Sequence, residues 1–222
     1  MMWIATTVAS ALFASTVLAA APAGSAAAMP PMIVDVTAAA NISADVLKQI
    51  LAQADAIWRP SGVTLIWRRV PTAPHTLADS GPYVPDTLRL TIGDDRGTAH
   101  DTRMPLGWIV FDDVTQPQQE IYLSHANAAA LMEEARGVIG HVAQMPVAQR
   151  DTLLARAMGR ALAHELGHYL LASKVHTPRG LMKAVLTAVE LFMPDEAPFR
   201  IDPAQRRAVA ARLRGEPMVA SR

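Results

Sequence analysis

His164 and His168 stand four residues apart, with Glu165 directly after the first, in the run His164-Glu165-Leu166-Gly167-His168. On a helix, positions i and i+4 lie one above the other on the same face, so both imidazoles can reach one cation. Neutral imidazole nitrogen suits zinc, whose catalytic sites take three protein ligands and keep a fourth position for water. Glu165 is the carboxylate that could take a proton from that water. The flanks are apolar. Leu153, Leu154, Ala157, Met158, Ala161 and Leu162 recur at helical spacing before the motif, and Tyr169, Leu170 and Leu171 follow it. Ionisable groups in so apolar a helix are costly without a partner, and a metal ion supplies one. A third ligand must come from elsewhere. The candidates are His176, eight residues past His168, and Glu190, twenty-two past it.

The motif, then His176, then Gly180-Leu181-Met182 together resemble a metzincin-type zinc metalloprotease of the matrixin-like group. The likeness is close over residues 160–183 and looser elsewhere. Members of that group continue the motif with x-x-G-x-x-H and follow it with a methionine-containing turn. Here Leu171 occupies the glycine position, Lys174 occupies the third-histidine position, and His176 arrives two residues late. The glycine ordinarily ends the helix in a left-handed conformation. Without it, the helix is expected to run on about half a turn, to near Ser173, before the chain brings His176 back.

The resemblance implies a single zinc ion on His164, His168 and His176; Glu190 stays the alternative third ligand, the role that helix-borne glutamates take in another class of zinc protease. It implies Glu165 as general base and Met182 as the apolar floor of the site. It implies a zinc-dependent endopeptidase in which an activated water attacks the peptide carbonyl and Glu165 passes the proton to the leaving amine. The fourth strand, with Gly107, Trp108, Ile109 and Val110, would be the antiparallel edge above the cleft, and a peptide or protein substrate would add to it as a further strand. No tyrosine closely follows Met182 to donate to an oxyanion. A second reading keeps the metal and drops the catalysis: a specialised, zinc-stabilised peptide-binding relative. An intact Glu165 favours the enzyme, since a structural zinc site needs no base and prefers four protein ligands.

The elements that must carry these residues can be read in order. Residues 32–37 form a strand and Asn41 or Ser43 caps the helix that follows, with Val46, Leu47, Ile50, Leu51, Ala54, Ile57 and Trp58 at helical spacing. Pro60-Ser61-Gly62 ends it, and residues 63–67 are a second strand; Trp58 and Trp67 read as core. Proline-rich 70–86 is a loop, 87–92 a third strand, and Gly93-Asp94-Asp95-Arg96-Gly97 a turn with a weak likeness to a calcium loop. Residues 106–111 and 120–124 are the fourth and fifth strands. A short helix is expected over 126–136, the long motif helix over 146–173, and a last helix over 203–214, with Asp202 as cap and Pro203 first. This order gives an α+β fold: a five-stranded mixed, twisted sheet with two or three major helices, zincin/metzincin-like.

Composition bounds the rest. Lys and Arg total 20, as do Asp and Glu, and no acidic or basic excess suggests nucleic acid or an anionic membrane surface. Residues 1–28 carry no charge; 4–18 are an apolar run and small residues follow, the pattern of a signal peptide cleaved between 20 and 28, although a positive start is missing. Residues 29–222 then form a single catalytic domain, secreted or periplasmic, monomeric and free of stable membrane association. With no cysteine it holds no disulfide and cannot mask its metal with a thiolate. Among the remaining histidines, His75, His100, His125 and His141 read as surface groups; His100, Asp101 and His125 could also form a second, structural metal site.

Overall fold

The structure, a computed structural model, describes residues 29–71, 87–96 and 105–216. It is an α+β fold whose five strands are β1 (Met32–Ala38), β2 (Leu65–Arg69), β3 (Leu88–Gly93), β4 (Gly107–Asp113) and β5 (Gln116–Ser124). They lie in the order β2-β1-β3-β5-β4. The first four are mutually parallel, and β4 runs antiparallel to β5 at the edge. The helices are α1 (Ala44–Trp58), α2 (His125–Glu134), α3 (Arg136–Ile139), α4 (Val147–Leu171), α5 (Ala188–Phe192) and α6 (Pro203–Leu213).

Alternation along the strands decides which face of the sheet is covered. Val34, Val36, Leu88, Leu90, Ile92, Ile121 and Leu123 are buried and join Val46, Leu47, Ile50, Ala54 and Trp58 of α1 and Met158, Leu162 and Leu166 of α4 in one core. The intervening positions point away; Asp35, Thr37, Arg89 and Thr91 are polar, while Ile33 and Ile66 are exposed apolar residues. Asp35 pairs with Arg68 across β1 and β2 at 2.7 Å, and Thr37 meets Thr91 at 3.2 Å. The helices α1 and α4 cross closely because Gly159 has no side chain: a Cβ there would lie 2.7 Å from the Ile50 carbonyl oxygen. The indole Nε1 of Trp58 donates to the Ala163 carbonyl at 3.1 Å, fixing α4 immediately before the motif.

Several boundaries move from their sequence-based positions. β2 begins at Leu65 and extends through Arg68 and Arg69, because it is pairing with β1 that defines it, while Val63 enters the core before pairing starts. β5 begins four residues earlier than expected. Its polar start, Gln116 to Gln119, carries no apolar alternation and is held by the hairpin with β4. The short helix expected over 126–136 divides into α2 and α3, with Ser124 as the cap of α2 through a 3.1 Å bond from the Asn127 amide. Ser43, rather than Asn41, caps α1; the Asn41 side chain instead donates to Asp94 at 2.8 Å. The signal peptide expected over residues 1–28 and most of the 70–86 loop lie outside the described residues. No helix among the described residues is long and apolar enough to cross a membrane.

Candidate functional site

The central part of the site is built by α4 alone. His164 and His168 project from one face, and their Nε2 atoms lie 3.0 Å apart. Each Nδ1 meets a backbone carbonyl, Leu181 at 2.8 Å for His164 and Ser173 at 2.7 Å for His168. A carbonyl only accepts, so each Nδ1 carries the proton and each Nε2 presents a lone pair. Two lone pairs facing each other at 3.0 Å repel unless a cation lies between them. Two nitrogens on one zinc ion lie roughly 3.3 Å apart in tetrahedral geometry. The donor set therefore fits a metal ion, with both outer hydrogen bonds in the arrangement that orients ligating histidines.

His176 completes the set. The ligand atoms of His164, His168 and His176 all lie within 4.8 Å of one another. Its ring stacks on His164, with centroids 5.3 Å apart, and stands perpendicular to His168 at 4.9 Å. The route to it corrects one expectation. The helix does not run on to Ser173; it stops at Leu171, and Ala172 takes the left-handed conformation, φ 47° and ψ 46°. The Ser173 amide donates to the His168 carbonyl and the Ala172 amide to Tyr169, both at 3.2 Å, a Schellman closure. The same turn brings the Ser173 carbonyl under His168. An alanine thus does what glycine does elsewhere, one residue past Leu171.

Burial sets the charge states. It pushes the His164 imidazole down to about 4, against a partly opposing bond to Leu181 and with help from His168 and His176. His168 is shifted down as well, again by burial first. Both are held as neutral imidazole, the form that binds metal. Glu165 is 8% exposed. Burial pushes its carboxyl up to about 8, so a nearby cation would be needed to favour the carboxylate at neutral pH.

Two glycines shape the surroundings. A Cβ on Gly167 would overlap the sulfur of Met182, which lies against α4 at that position. Met182 is buried under the motif, on a turn where Gly180 takes a φ of 83° and the Lys183 amide donates to its carbonyl at 3.2 Å. On the other side, a Cβ on Gly107 would lie 3.1 Å from Cγ of Glu165 and 2.7 Å from Leu123. Gly107 is therefore the gap through which Glu165 reaches the cleft wall. That wall is β4 itself: Gly107, Trp108, Ile109, Val110 and Phe111 line the cleft that also contains His164, Glu165, His168 and His176. The indole of Trp108 stacks on Tyr122 at 5.5 Å.

Glu190 is not drawn into the histidine cluster. Residues 182–192 are mostly non-helical, and α5 begins only at Ala188. The Glu190 carboxylate accepts from the Thr187 amide at 2.8 Å while the Glu190 amide donates to Thr187 Oγ1 at 3.2 Å, a capping box, and the carboxylate also binds the Lys183 ammonium at 2.7 and 2.9 Å. These bonds hold its carboxyl below the usual range. His125 pairs with Asp94 at 3.1 Å, and His141 is exposed. His75, His100 and Asp101, and with them the second metal site, lie outside the described residues.

One residue of structural weight was missed. Arg160, one turn before His164, is fully buried and donates to the carbonyls of Glu190, Met193 and Asp195 at 2.6 to 2.8 Å, with its guanidinium over the Phe199 ring. Burial pushes it down to about 10. It ties the wall of the cleft after Met182 to α4. The signal was there: an arginine between Met158 and Ala161 on an otherwise apolar stretch.

Compared with known protein families and with curated proteins, the chain matches no family model and no curated sequence.

Proposed function

We propose that this chain is an exported zinc-dependent endopeptidase of metzincin type. The observation that carries the reading is the convergence of three imidazoles beside a buried Glu165, beneath the edge strand β4. His164, His168 and His176 would hold the ion. Zinc bound there would polarise a peptide carbonyl and make a water acidic near neutrality. Glu165 would accept a proton at its carboxylate and return it to the leaving amine. Gly107 leaves Glu165 room to do so, and β4 would orient an extended peptide through main-chain hydrogen bonds. Export rests on the uncharged apolar pattern of residues 1–28. The likeness to the metzincin-type group rests on the residue pattern between His164 and Met182.

Zinc counted per chain, with digestion of a peptide library with and without a chelator, tests the proposal. One zinc per chain and chelator-sensitive cleavage are expected. Glu165→Gln should retain the zinc and lose a hundredfold or more in turnover, the scale of general-base catalysis. Full activity in that variant would remove Glu165 from the reaction.

A further inference from the structure

The charged side chains around the cleft are unevenly satisfied. Glu134, Glu165, Lys174 and Lys183 line it. Glu165 is buried at its base, and Lys183 is neutralised by Glu190. Lys174 is exposed and has no carboxylate partner among the described residues. Its ammonium instead lies 5.1 Å from the ring centroid of Phe111. Phe111 in turn packs edge-on to His168 at 6.5 Å. Lys174 is therefore held at the Phe111 end of β4, next to the metal ligands. At the opposite end, α2 closes on the strand, with Asn127 donating to the Pro105 carbonyl at 2.9 Å, and α2 carries the exposed Glu134. The part of β4 that lines the cleft, Gly107 to Phe111, spans about 13 Å at ~3.3 Å per residue. A peptide lying along β4 would meet the Lys174 ammonium at the Phe111 end.

We propose that Lys174, steadied over Phe111, is a specificity residue that favours peptides presenting a carboxylate at the Phe111 end of the cleft. This rests on the peptidase reading for its substrate class. An ammonium over an aromatic face keeps its charge and loses little mobility on meeting an anion, while the ring packs the anion's methylenes. The carboxylate can come from an Asp or Glu side chain or from a free chain terminus; the chemistry at Lys174 is the same.

The test uses matched fluorescent peptides that differ by Glu or Gln at single positions, and by a free or amidated C-terminus. Binding is measured by anisotropy on zinc-loaded Glu165→Gln, and kcat/KM on the wild type. At one position the Glu peptide should bind about fivefold tighter than its Gln twin, an advantage that fades at high salt. Lys174→Gln should abolish the preference, Lys174→Arg should retain it, and Lys174→Glu should turn it toward a Lys peptide. A preference confined to free C-termini assigns the carboxylate to the chain end. Equal binding of every pair, or an unchanged preference in Lys174→Glu with zinc retained, overturns the proposal. Discrimination without hydrolysis would sink the peptidase reading alone; hydrolysis without discrimination would sink this one alone.

Discussion

The cluster of three histidines has two halves that differ in kind. His164 and His168 sit in the middle of a 25-residue helix, half-buried or buried, each locked by a carbonyl at its far nitrogen. His176 lies on an exposed loop between Val175, which is 71% exposed, and Thr177. The helical half is held by the backbone hydrogen-bond ladder and the core beneath it. The loop half is held by one unusual backbone position, Ala172, and by the Met182 turn. Helix and loop each offer imidazole nitrogen with different amounts of surrounding structure, so damage to each should have different consequences.

The largest effect should come from the ligands themselves. His168→Ala and His176→Ala should each weaken zinc binding by roughly a thousandfold, about 4 kcal/mol. The zinc-free proteins should differ. His168→Ala strands the Ser173 carbonyl and should cost about 1–3 kcal/mol in urea unfolding, while His176→Ala should stay within about 0.5 kcal/mol. Equal destabilisation of the two zinc-free variants would erase the distinction between the halves.

Arg160→Met comes next. It leaves the carbonyls of Glu190, Met193 and Asp195 without their donor in a buried setting, at about 3 kcal/mol. Hydrogen exchange should rise most in residues 190–195, on the loop side. Faster exchange spread evenly through α4 would contradict the role given to Arg160.

A pH titration of the zinc-free protein isolates the helical half. Glu165 is raised from 4.5 to about 8, so the folded state retains its proton, and the stability this gives is lost as pH rises through 8. His164, lowered from 6.5 to about 4, works in the opposite direction; its contribution is complete above pH 6.5 and lost as pH falls. His168 shares that direction. Between pH 6.5 and 8 only the Glu165 slope remains among these groups, and zinc-free protein should lose about 2 kcal/mol. Glu165→Gln should flatten that window. A slope that survives in Glu165→Gln would place its source elsewhere.

The smallest effect belongs to the turn. A left-handed alanine costs roughly 1 kcal/mol, but its methyl is buried and contributes about 0.8 kcal/mol by packing. Ala172→Gly should therefore change stability by less than about 0.5 kcal/mol, whereas Ala172→Val, β-branched at positive φ, should cost well over that and lower zinc affinity. Thermal melts with and without zinc would register both.

Periodicity made much of this molecule readable. The spacing of His164 and His168 on a helix, the alternation of Val34 and Val36, and the cap at Asp202 are local features, each decided within about one turn or one strand of chain. Their physical cause is the fixed geometry of helix and strand, so residue order alone determined them, as it did the five strands and their flanking helices. Where a segment owed its form to a distant partner, order was silent. Gln116 to Gln119 are strand only because β4 lies alongside. Glu190, chemically a fair ligand, was claimed by Lys183 and Thr187, and Arg160 found its carbonyls thirty residues on. Above all, whether His176 could return to the helical pair depended on a left-handed alanine, a Met182 sulfur seated against Gly167, and carbonyls from Leu181 and Ser173 arriving beneath the rings. Those contacts join segments that fold back on one another, and only the packed tertiary structure brings them within reach.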